Sequence, residues 1–218
     1  MRAVLFDMDG VIVDSERHWK DMEAAFFREA VPGWSEAAHE RIVGMGVEDV
    51  FHHLEKEYDL VMSKHEFVER CDQVARKVYR EAVDCADGFL DLARGLKHRG
   101  TKTAIASSSP QRWIDMVVDR FALSPLLDAM VSADDVGGKT KPQPDIYLEA
   151  AARLGLPTVE CLAIEDSAIG VLAAKRAGCR VAAFRTAHNQ GQDLSHADFE
   201  LSGFAGLDYE KLAARLRR

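Results

Sequence analysis

The sequence predicts an α/β protein with a doubly wound parallel sheet and an inserted all-α block, and three observations lead to this fold class. Short, nearly continuous apolar runs recur along the chain, as in strands that are buried on both faces. From residue 89 onward they alternate with helix-period segments of about ten residues, as right-handed βαβ units require. Between residues 16 and 82 the patterns are helical. The alternating part should therefore form the sheet, and the other part a separate helical layer.

The sheet is predicted from five apolar runs, namely Ala3–Phe6, Thr103–Ala106, Ala129–Val131, Leu162–Ile164 and Val181–Phe184. The helices of this part are predicted at Phe89–His98, Gln111–Phe121, Ile146–Leu154, Ile169–Ala177 and Tyr209–Leu216. Gly155 and Gly178 follow two of these helices, at the position where a left-handed residue commonly ends a helix.

The chain is predicted to divide into a Rossmann-like core, residues 1–15 and 83–218, and a helical cap domain, residues 16–82. The helical patterns of the cap are Glu16–Ala30, Glu36–Ile42, Val47–Tyr58 and Lys64–Ala82. Ser63 and Glu66 fit a capping box at the start of the last pattern. A helical block inserted after the first strand would cover the carboxyl ends of the strands, where open α/β folds bind their ligands.

Composition and charge exclude some classes of partner. The chain has 218 residues, of which 47% are hydrophobic and 29% charged, as in ordinary globular proteins. Its formal charge of −8 argues against nucleic acid and anionic membrane as partners, because both attract basic surfaces. No apolar stretch is long enough to span a bilayer, so the cytoplasm is the expected location. We expect a monomer or a weak dimer.

Asp7 and Asp9 follow the first predicted strand, two residues apart, so both side chains should point the same way. Two carboxylates held close together repel each other unless a cation joins them or one takes a proton. Gly10 then permits a tight turn of the backbone near a ligand. The pair indicates a nucleophile and a proton carrier beside Mg²⁺. A solvated turn and the Asp-x-Asp metal site of glycosyltransferases remain alternatives.

Glu165 and Asp166 repeat this pattern at the end of another apolar run. Placing two carboxylates beside buried apolar residues costs several kcal/mol unless a charged partner is present. A hard cation with oxygen ligands is such a partner, and Mg²⁺ suits one or two carboxylates together with a phosphate oxygen. Alternatively, Asp166 or Ser167 caps the following helix, a role that is compatible with metal binding.

Hydroxyl groups and a lysine follow two further predicted strands. Ser107, Ser108 and Ser109 end a strand just before a helix, where hydroxyls and free backbone N–H groups form a ready anion site. A plain serine N-cap is the alternative. Lys141 precedes a proline and can project its ammonium group toward phosphate oxygens, although Lys139 competes for this role and a solvated loop lysine is also possible.

Together, these residues resemble the haloacid dehalogenase superfamily, in the branch with a helical cap inserted after the first strand. The resemblance covers nearly the whole chain and rests on the run from Asp7 to Glu16, Ser107, Lys141-Pro142 and Glu165-Asp166. Within the superfamily, the sequence is most similar to β-phosphoglucomutase-like sugar phosphatases, including 2-deoxyglucose-6-phosphatase-like enzymes. The family pattern implies that Ser107 and Lys141 hold the oxygens of a phosphate group.

The resemblance implies a Mg²⁺-dependent phosphatase for a small phosphorylated metabolite, with a sugar phosphate as the leading candidate. Asp7 would attack phosphorus and form an aspartyl-phosphate. Asp9 would protonate the leaving alcohol and then deprotonate the hydrolytic water. Mg²⁺ would be held by Asp7, Asp166 and the backbone carbonyl of Asp9, with Glu165 bound directly or one layer behind. An acid at Asp9 favours phosphoryl transfer over dehalogenation, because a halide leaves without a proton.

The cap is expected to select the substrate. The segment Val43–Asp49 resembles the specificity loop of the mutases, with Gly44 inside it and Val47 where those mutases carry a phosphate-binding arginine. Without that cation, a monophosphatase is favoured over a phosphomutase, and a non-catalytic protein that senses a phosphorylated metabolite is a further alternative. His18 and Trp19 are candidate substrate contacts, although packing of Trp19 within the cap and a solvated His18 are equally open.

Overall fold

The structure is a computed structural model that describes the chain except residues 36, 37, 39, 40, 43, 44, 59, 61 and 218, and except the side chains of residues 20, 21, 23–25 and 29. A six-stranded parallel sheet forms its centre. The strands are β1 (Ala3–Phe6), β2 (Lys102–Ala106), β3 (Ala129–Val131), β4 (Cys161–Glu165), β5 (Arg180–Phe184) and β6 (Phe199–Leu201). Their order is β3-β2-β1-β4-β5-β6. The predicted doubly wound α/β fold is confirmed, and β6 is an additional strand.

The described part of the chain contains eight α-helices. They are α1 (Glu16–Ala30), α2 (Val47–Glu57), α3 (Lys64–Lys77), α4 (Phe89–His98), α5 (Gln111–Arg120), α6 (Asp145–Arg153), α7 (Ala168–Arg176) and α8 (Tyr209–Arg215). A π-helical turn, Val78–Ala82, continues α3, where the sequence predicted one regular helix to Ala82. Most of the predicted helix Glu36–Ile42 lies outside the described residues.

The two faces of β1 belong to two separate apolar clusters. Val4 and Phe6 face one cluster, in which the ring of Phe6 meets the ring of Phe89 edge-on at 5.1 Å. Ala3 and Leu5 face the other cluster, which is built around α6 and α7. All four β1 residues are fully buried, which explains why the strand reads as a continuous apolar run.

Helices α1–α3 follow β1 directly and share aromatic packing of their own. Phe26 and Phe27 of α1 contact Phe67 of α3, with ring centroids 5.6 and 6.1 Å apart, and Phe51 of α2 joins them. The Ser63 hydroxyl accepts a hydrogen bond from the backbone N–H of Glu66, as the capping-box pattern predicts. The division into a core and a cap at residues 16 and 82 stays a prediction. No helix among the described residues has the length and apolar character that a membrane crossing requires.

The sheet order brings three chain segments to one edge. Strand β1 pairs with β2 on one side and with β4 on the other, so that Phe6 lies level with Ile105 and Ile164. The residues that follow these strands therefore meet at the carboxyl ends of the strands. Between β1 and β4 the direction of winding reverses, and this is the position at which open α/β sheets bind ligands.

Candidate active site

A buried lysine links two of the predicted acidic residues. The ammonium nitrogen of Lys141 donates hydrogen bonds to Asp7 Oδ1 at 2.5 Å and to Glu165 Oε1 at 2.6 Å. The Tyr147 hydroxyl donates a hydrogen bond to the same Glu165 oxygen. Glu165 is fully buried, and Lys141 is 4% exposed. The contacts therefore connect the end of β1 with the end of β4 through a single cation.

The choice between the two lysines of this loop is decided by the structure. Lys139 is exposed, and its ammonium group lies 3.6 Å from Asp145. Lys141 instead enters the site at the strand ends. The prediction for the position of Lys141 is confirmed by this geometry, whereas its role in holding phosphate stays a prediction.

Asp7, Glu165 and Asp166 form a compact acidic cluster. One carboxylate oxygen from each residue lies within 4.8 Å of the others, and all three residues are buried. Gly10 turns at φ +73°, and a Cβ atom there would lie 1.9 Å from Asp166 Oδ2. A glycine is therefore needed for this carboxylate to approach the β1 loop. Oxygen donors at this spacing fit a hard divalent cation such as Mg²⁺.

The charges of the cluster also fit a cation. Burial raises the pKa of Asp7 to about 8, and the neighbouring Glu165 carboxylate adds to this effect. Burial and the adjacent carboxylates likewise raise the pKa of Asp166 well above its usual range. Burial by itself would lower the pKa of Lys141, but Asp7 and Glu165 raise it above its usual value. One ammonium group thus faces three carboxylates, and a bound cation would restore the ionised form of Asp7.

Asp9 makes a separate set of contacts. Its Oδ1 atom accepts hydrogen bonds from the hydroxyls of Ser15 and Tyr79, both at 2.6 Å, and its Oδ2 atom accepts one from Ser109 at 2.9 Å. The indole N–H of Trp19 donates to the Tyr79 hydroxyl at 3.1 Å. These donors hold the Asp9 side chain in place at the end of β1. Among the described residues, the Asp9 carboxylate is not part of the acidic cluster. The predicted contact of the Asp9 backbone carbonyl with the metal stays a prediction.

The serines after β2 leave one hydroxyl without a partner. Ser107 accepts a hydrogen bond from the backbone N–H of Ser109 at 3.1 Å. The buried Ser108 hydroxyl has no hydrogen-bond partner among the described residues. The alternative of a serine N-cap is wrong, because Pro110 occupies the cap position and Asp134 accepts the first free N–H of α5, from Gln111. Ser108 is thus available to a ligand.

A cavity lies between this edge of the sheet and the cap helices. The residues after the strands that line it are Asp7, Asp9, Ser107, Ser108, Ser109, Lys141 and Asp166. The predicted cap residues Trp19 and Val47 line it as well. His18 is outside the described lining and accepts a hydrogen bond from Arg17. Gly44 lies outside the described residues.

Glu165 is not part of the described lining of the cavity and is enclosed by its neighbours. Its second carboxylate oxygen accepts a hydrogen bond from Ser167 at 3.3 Å. Ser167 also caps α7 by accepting the N–H of Gly170, so the predicted helix cap and the acidic cluster coexist. A Cβ atom on Gly170 would lie 2.1 Å from Glu165 Oε2. The packing of α7 thus fixes the carboxylate that holds Lys141.

We expect Gly170→Ala to lower the melting temperature, although alanine in a helix usually stabilises by about 1 kcal/mol relative to glycine. The added methyl group collides with Glu165, and overpacking of this kind costs about 1–3 kcal/mol. Gly95→Ala on α4 is the matched control, because nothing lies within 4 Å of its added Cβ atom. Equal melting temperatures for Gly170→Ala and Gly95→Ala would show that Glu165 is not confined in this way.

Comparison with known proteins decides the family. The haloacid dehalogenase-like hydrolase family matches residues 4–184. The chain belongs to this family. Its relatives include a phosphorylated carbohydrates phosphatase from Thermotoga maritima, which is 32% identical over 82% of this chain and 82% of the relative. Hexitol phosphatase B from Escherichia coli K12 is 29% identical over 82% of this chain and 81% of its own.

A solved structure supports the same fold. The crystal structure of β-phosphoglucomutase from Clostridium difficile matches with a TM-score of 0.81 and 20% identity, over 100% of this chain and 97% of the other. The predicted superfamily is therefore confirmed, and the chain is an enzyme of the hydrolase class. The similarity to the mutase concerns the fold alone.

Proposed function

We propose that this protein is a Mg²⁺-dependent phosphatase that hydrolyses a small phosphate monoester through an aspartyl-phosphate on Asp7. The observation that carries the proposal is the buried contact of Lys141 with Asp7, beside the acidic cluster. A nucleophilic carboxylate, an ammonium group for phosphate oxygens and ligands for a hard cation thereby meet at one point. Two relatives support this reaction class, since one is named a phosphorylated carbohydrates phosphatase and the other a hexitol phosphatase.

In the first step, a carboxylate oxygen of Asp7 attacks phosphorus while the bond from phosphorus to the alcohol oxygen breaks. Asp9, once protonated, gives its proton to the leaving oxygen. In the second step, water attacks the aspartyl-phosphate and Asp9 takes a proton from it, which releases orthophosphate and the Asp7 carboxylate. The hydrogen bonds from Ser15, Tyr79 and Ser109 would keep the Asp9 side chain in position for both proton transfers.

Asp7 and Asp166 would hold Mg²⁺ together with the backbone carbonyl of Asp9. When bound, the ion supplies positive charge that offsets the repulsion between the carboxylates and the phosphate. We propose that Glu165 acts one layer behind, because Lys141, Tyr147 and Ser167 occupy its oxygens. The free hydroxyl of Ser108, with Ser107 and Lys141, would bind the phosphate oxygens.

A sugar phosphate with one phosphate group is the proposed substrate. Among the described residues that line the cavity, Lys141 is the only cation, and Val47 adds none at the cap. A second phosphate would therefore lack a partner, which favours hydrolysis over the mutase reaction with its bisphosphorylated intermediate. The mutase alternative predicts isomerisation of β-glucose 1-phosphate, and the hydrolase predicts orthophosphate release.

Orthophosphate release tests this proposal directly. With Mg²⁺ present, we expect release from p-nitrophenyl phosphate and from at least one member of a panel of sugar phosphates, nucleotides and glycerol phosphates. Chelation of the metal should stop the reaction. If the protein hydrolyses no ester in the panel with Mg²⁺ present, the proposal is wrong and a non-catalytic sensor becomes the better account.

Asp9→Asn should separate proton transfer from the rest of the mechanism. We expect kcat for alkyl phosphates to fall by about 10²–10⁴, because the alkoxide leaves poorly without a proton. For p-nitrophenyl phosphate the first step should be less affected, since its leaving group is stable as an anion. The pre-steady-state rates of p-nitrophenol release and of alcohol release measure this difference. If Asp9→Asn lowers both rates by the same factor, Asp9 is not the acid.

A further inference from the structure

The cavity changes character beyond the phosphate end. The walls contributed by the cap helices and their connections are apolar, and they include Trp19, Phe27, Ile42, Met45, Val47 and Val50. The indole N–H groups of the two tryptophans at the cavity are already engaged, that of Trp19 with Tyr79 and that of Trp113 with Asp72. These walls offer shape and apolar contact, with few hydrogen-bonding groups for a leaving group.

Glu16 is the exception on the cap side. It is the first residue of α1, directly after Ser15, and it lines the cavity together with Asp9 and Asp166. Its carboxylate is close enough to interact electrostatically with both of these residues. Among the described residues, none forms a hydrogen bond or an ion pair with the side-chain carboxylate of Glu16. An unpaired carboxylate at a cavity wall is available to a ligand.

Most of the charges around this wall are negative. Asp7, Asp9, Glu16 and Asp166 contribute carboxylates, and Lys141 is the one cation of the described lining. The ammonium group of Lys141 forms ion pairs with Asp7 and Glu165 at the phosphate end of the cavity. A divalent cation would be held at that same end, next to Asp7 and Asp166. The carboxylates of the lining therefore outnumber these positive charges and the wall at Glu16 remains negative, so that a further negative charge in this partly buried site is repelled strongly.

We propose that Glu16 is a specificity-determining residue, which restricts the enzyme to phosphate monoesters whose leaving group is uncharged and carries a hydroxyl. The carboxylate accepts a hydrogen bond from that hydroxyl, and it repels leaving groups that carry a carboxylate or a second phosphate. The inference rests on the proposed phosphatase function, because it concerns the leaving group of that reaction.

Two matched substrate pairs test the proposal. Glucose 6-phosphate is compared with 6-phosphogluconate, and glycerol 3-phosphate with 3-phosphoglycerate, at about pH 8 with Mg²⁺, so that carboxylates are ionised. The wild-type enzyme should prefer the neutral member of each pair in kcat/KM. In Glu16→Gln, the ratio of neutral to anionic substrate should fall by about tenfold or more, because the charge is lost while the shape is kept. Glu16→Lys should lower the ratio further.

Glu69→Gln is the control, since Glu69 is exposed on α3 and is paired only weakly, with His65. Its ratio should stay that of the wild type. An unchanged ratio in both Glu16 variants, with p-nitrophenyl phosphate still hydrolysed, would overturn the role of Glu16 and leave the phosphatase function intact. A wild-type enzyme that hydrolyses neither p-nitrophenyl phosphate nor any member of the pairs would overturn both.

Discussion

Asp7→Asn is expected to reduce the turnover of every phosphate ester to below about one-hundredth of wild type, because the amide cannot form the aspartyl-phosphate. Steady-state orthophosphate release with Mg²⁺ measures this effect. The loss should be similar for good and poor leaving groups, since the nucleophile is required for both. Activity above one-hundredth of wild type would contradict the role of Asp7 as the nucleophile.

The same variant should not be less stable than the wild type in the absence of metal. The pKa of Asp7 in the folded protein is raised to about 8, above its ordinary value of 3.8, by burial and by Glu165. The unfolded chain releases this proton above about pH 3.8, whereas the folded protein keeps it until about pH 8, so the raised pKa lowers the free energy of unfolding progressively between these two pH values. The neutral amide removes this cost, which offsets the loss of the contact with Lys141. A melting temperature well below that of wild type in chelator would show that lost activity reflects unfolding.

Lys141→Met should lower kcat/KM by about 10²–10³ and should also destabilise the protein. The lysine is the ammonium group proposed to hold phosphate oxygens, and loss of such a donor typically has this effect on rate. Its removal also leaves the buried carboxylates of Asp7 and Glu165 without their cation, which costs about 3–5 kcal/mol. Kinetic assays and denaturant unfolding measure the two effects.

Lys139→Met provides the control for this prediction. Lys139 lies two residues away in the same loop, but it is exposed and, among the described residues, forms an ion pair with Asp145 alone. Its replacement should change neither kcat/KM nor the free energy of unfolding appreciably, because exposed ion pairs contribute about 0–1 kcal/mol. Equal effects of the two substitutions would mean that the buried position of Lys141 has no functional consequence.

The sequence was sufficient to predict the sheet and the convergence of the site. The apolar runs predict the strands, and the carboxylates or hydroxyls that directly follow these runs mark the carboxyl ends of the strands. Because parallel strands run in one direction, these ends lie at the same edge of the sheet. The prediction that Asp7, Ser107, Lys141 and Asp166 meet at one cavity is confirmed. Strand β6 was missed because Phe199–Leu201 has three residues and an exposed glutamate at its centre.

The partners of Asp9 and Glu165 could not be read from local patterns. Tyr79 lies 70 residues from Asp9 in the chain, and Tyr147 lies 18 residues from Glu165. Each tyrosine occupies an apolar position of a helical pattern, so it resembles an ordinary core residue until the tertiary contact is known. The π-helical turn at Val78–Ala82 adds to the difficulty, because it departs from the regular helical period.

The role proposed for Glu16 could not be predicted from the sequence for a different reason. Its position at the start of the predicted cap domain was clear from the sequence, but an acidic residue at the first position of a helix usually needs no further explanation. Only the cavity lining shows that its carboxylate faces the same space as Asp9 and Asp166. Cap residues of this kind depend on how helices pack over the sheet, which local periodicity does not specify.

A crystal structure with Mg²⁺ and beryllium fluoride tests the central claim most directly, because beryllium fluoride on a carboxylate mimics an acyl phosphate. We predict that the beryllium atom is bound to a carboxylate oxygen of Asp7, with Mg²⁺ between Asp7 and Asp166 and with Lys141 and Ser107 on the fluorine atoms. Asp7 without bound beryllium fluoride in crystals that hold both reagents, or Lys141 turned away from it, would contradict the account.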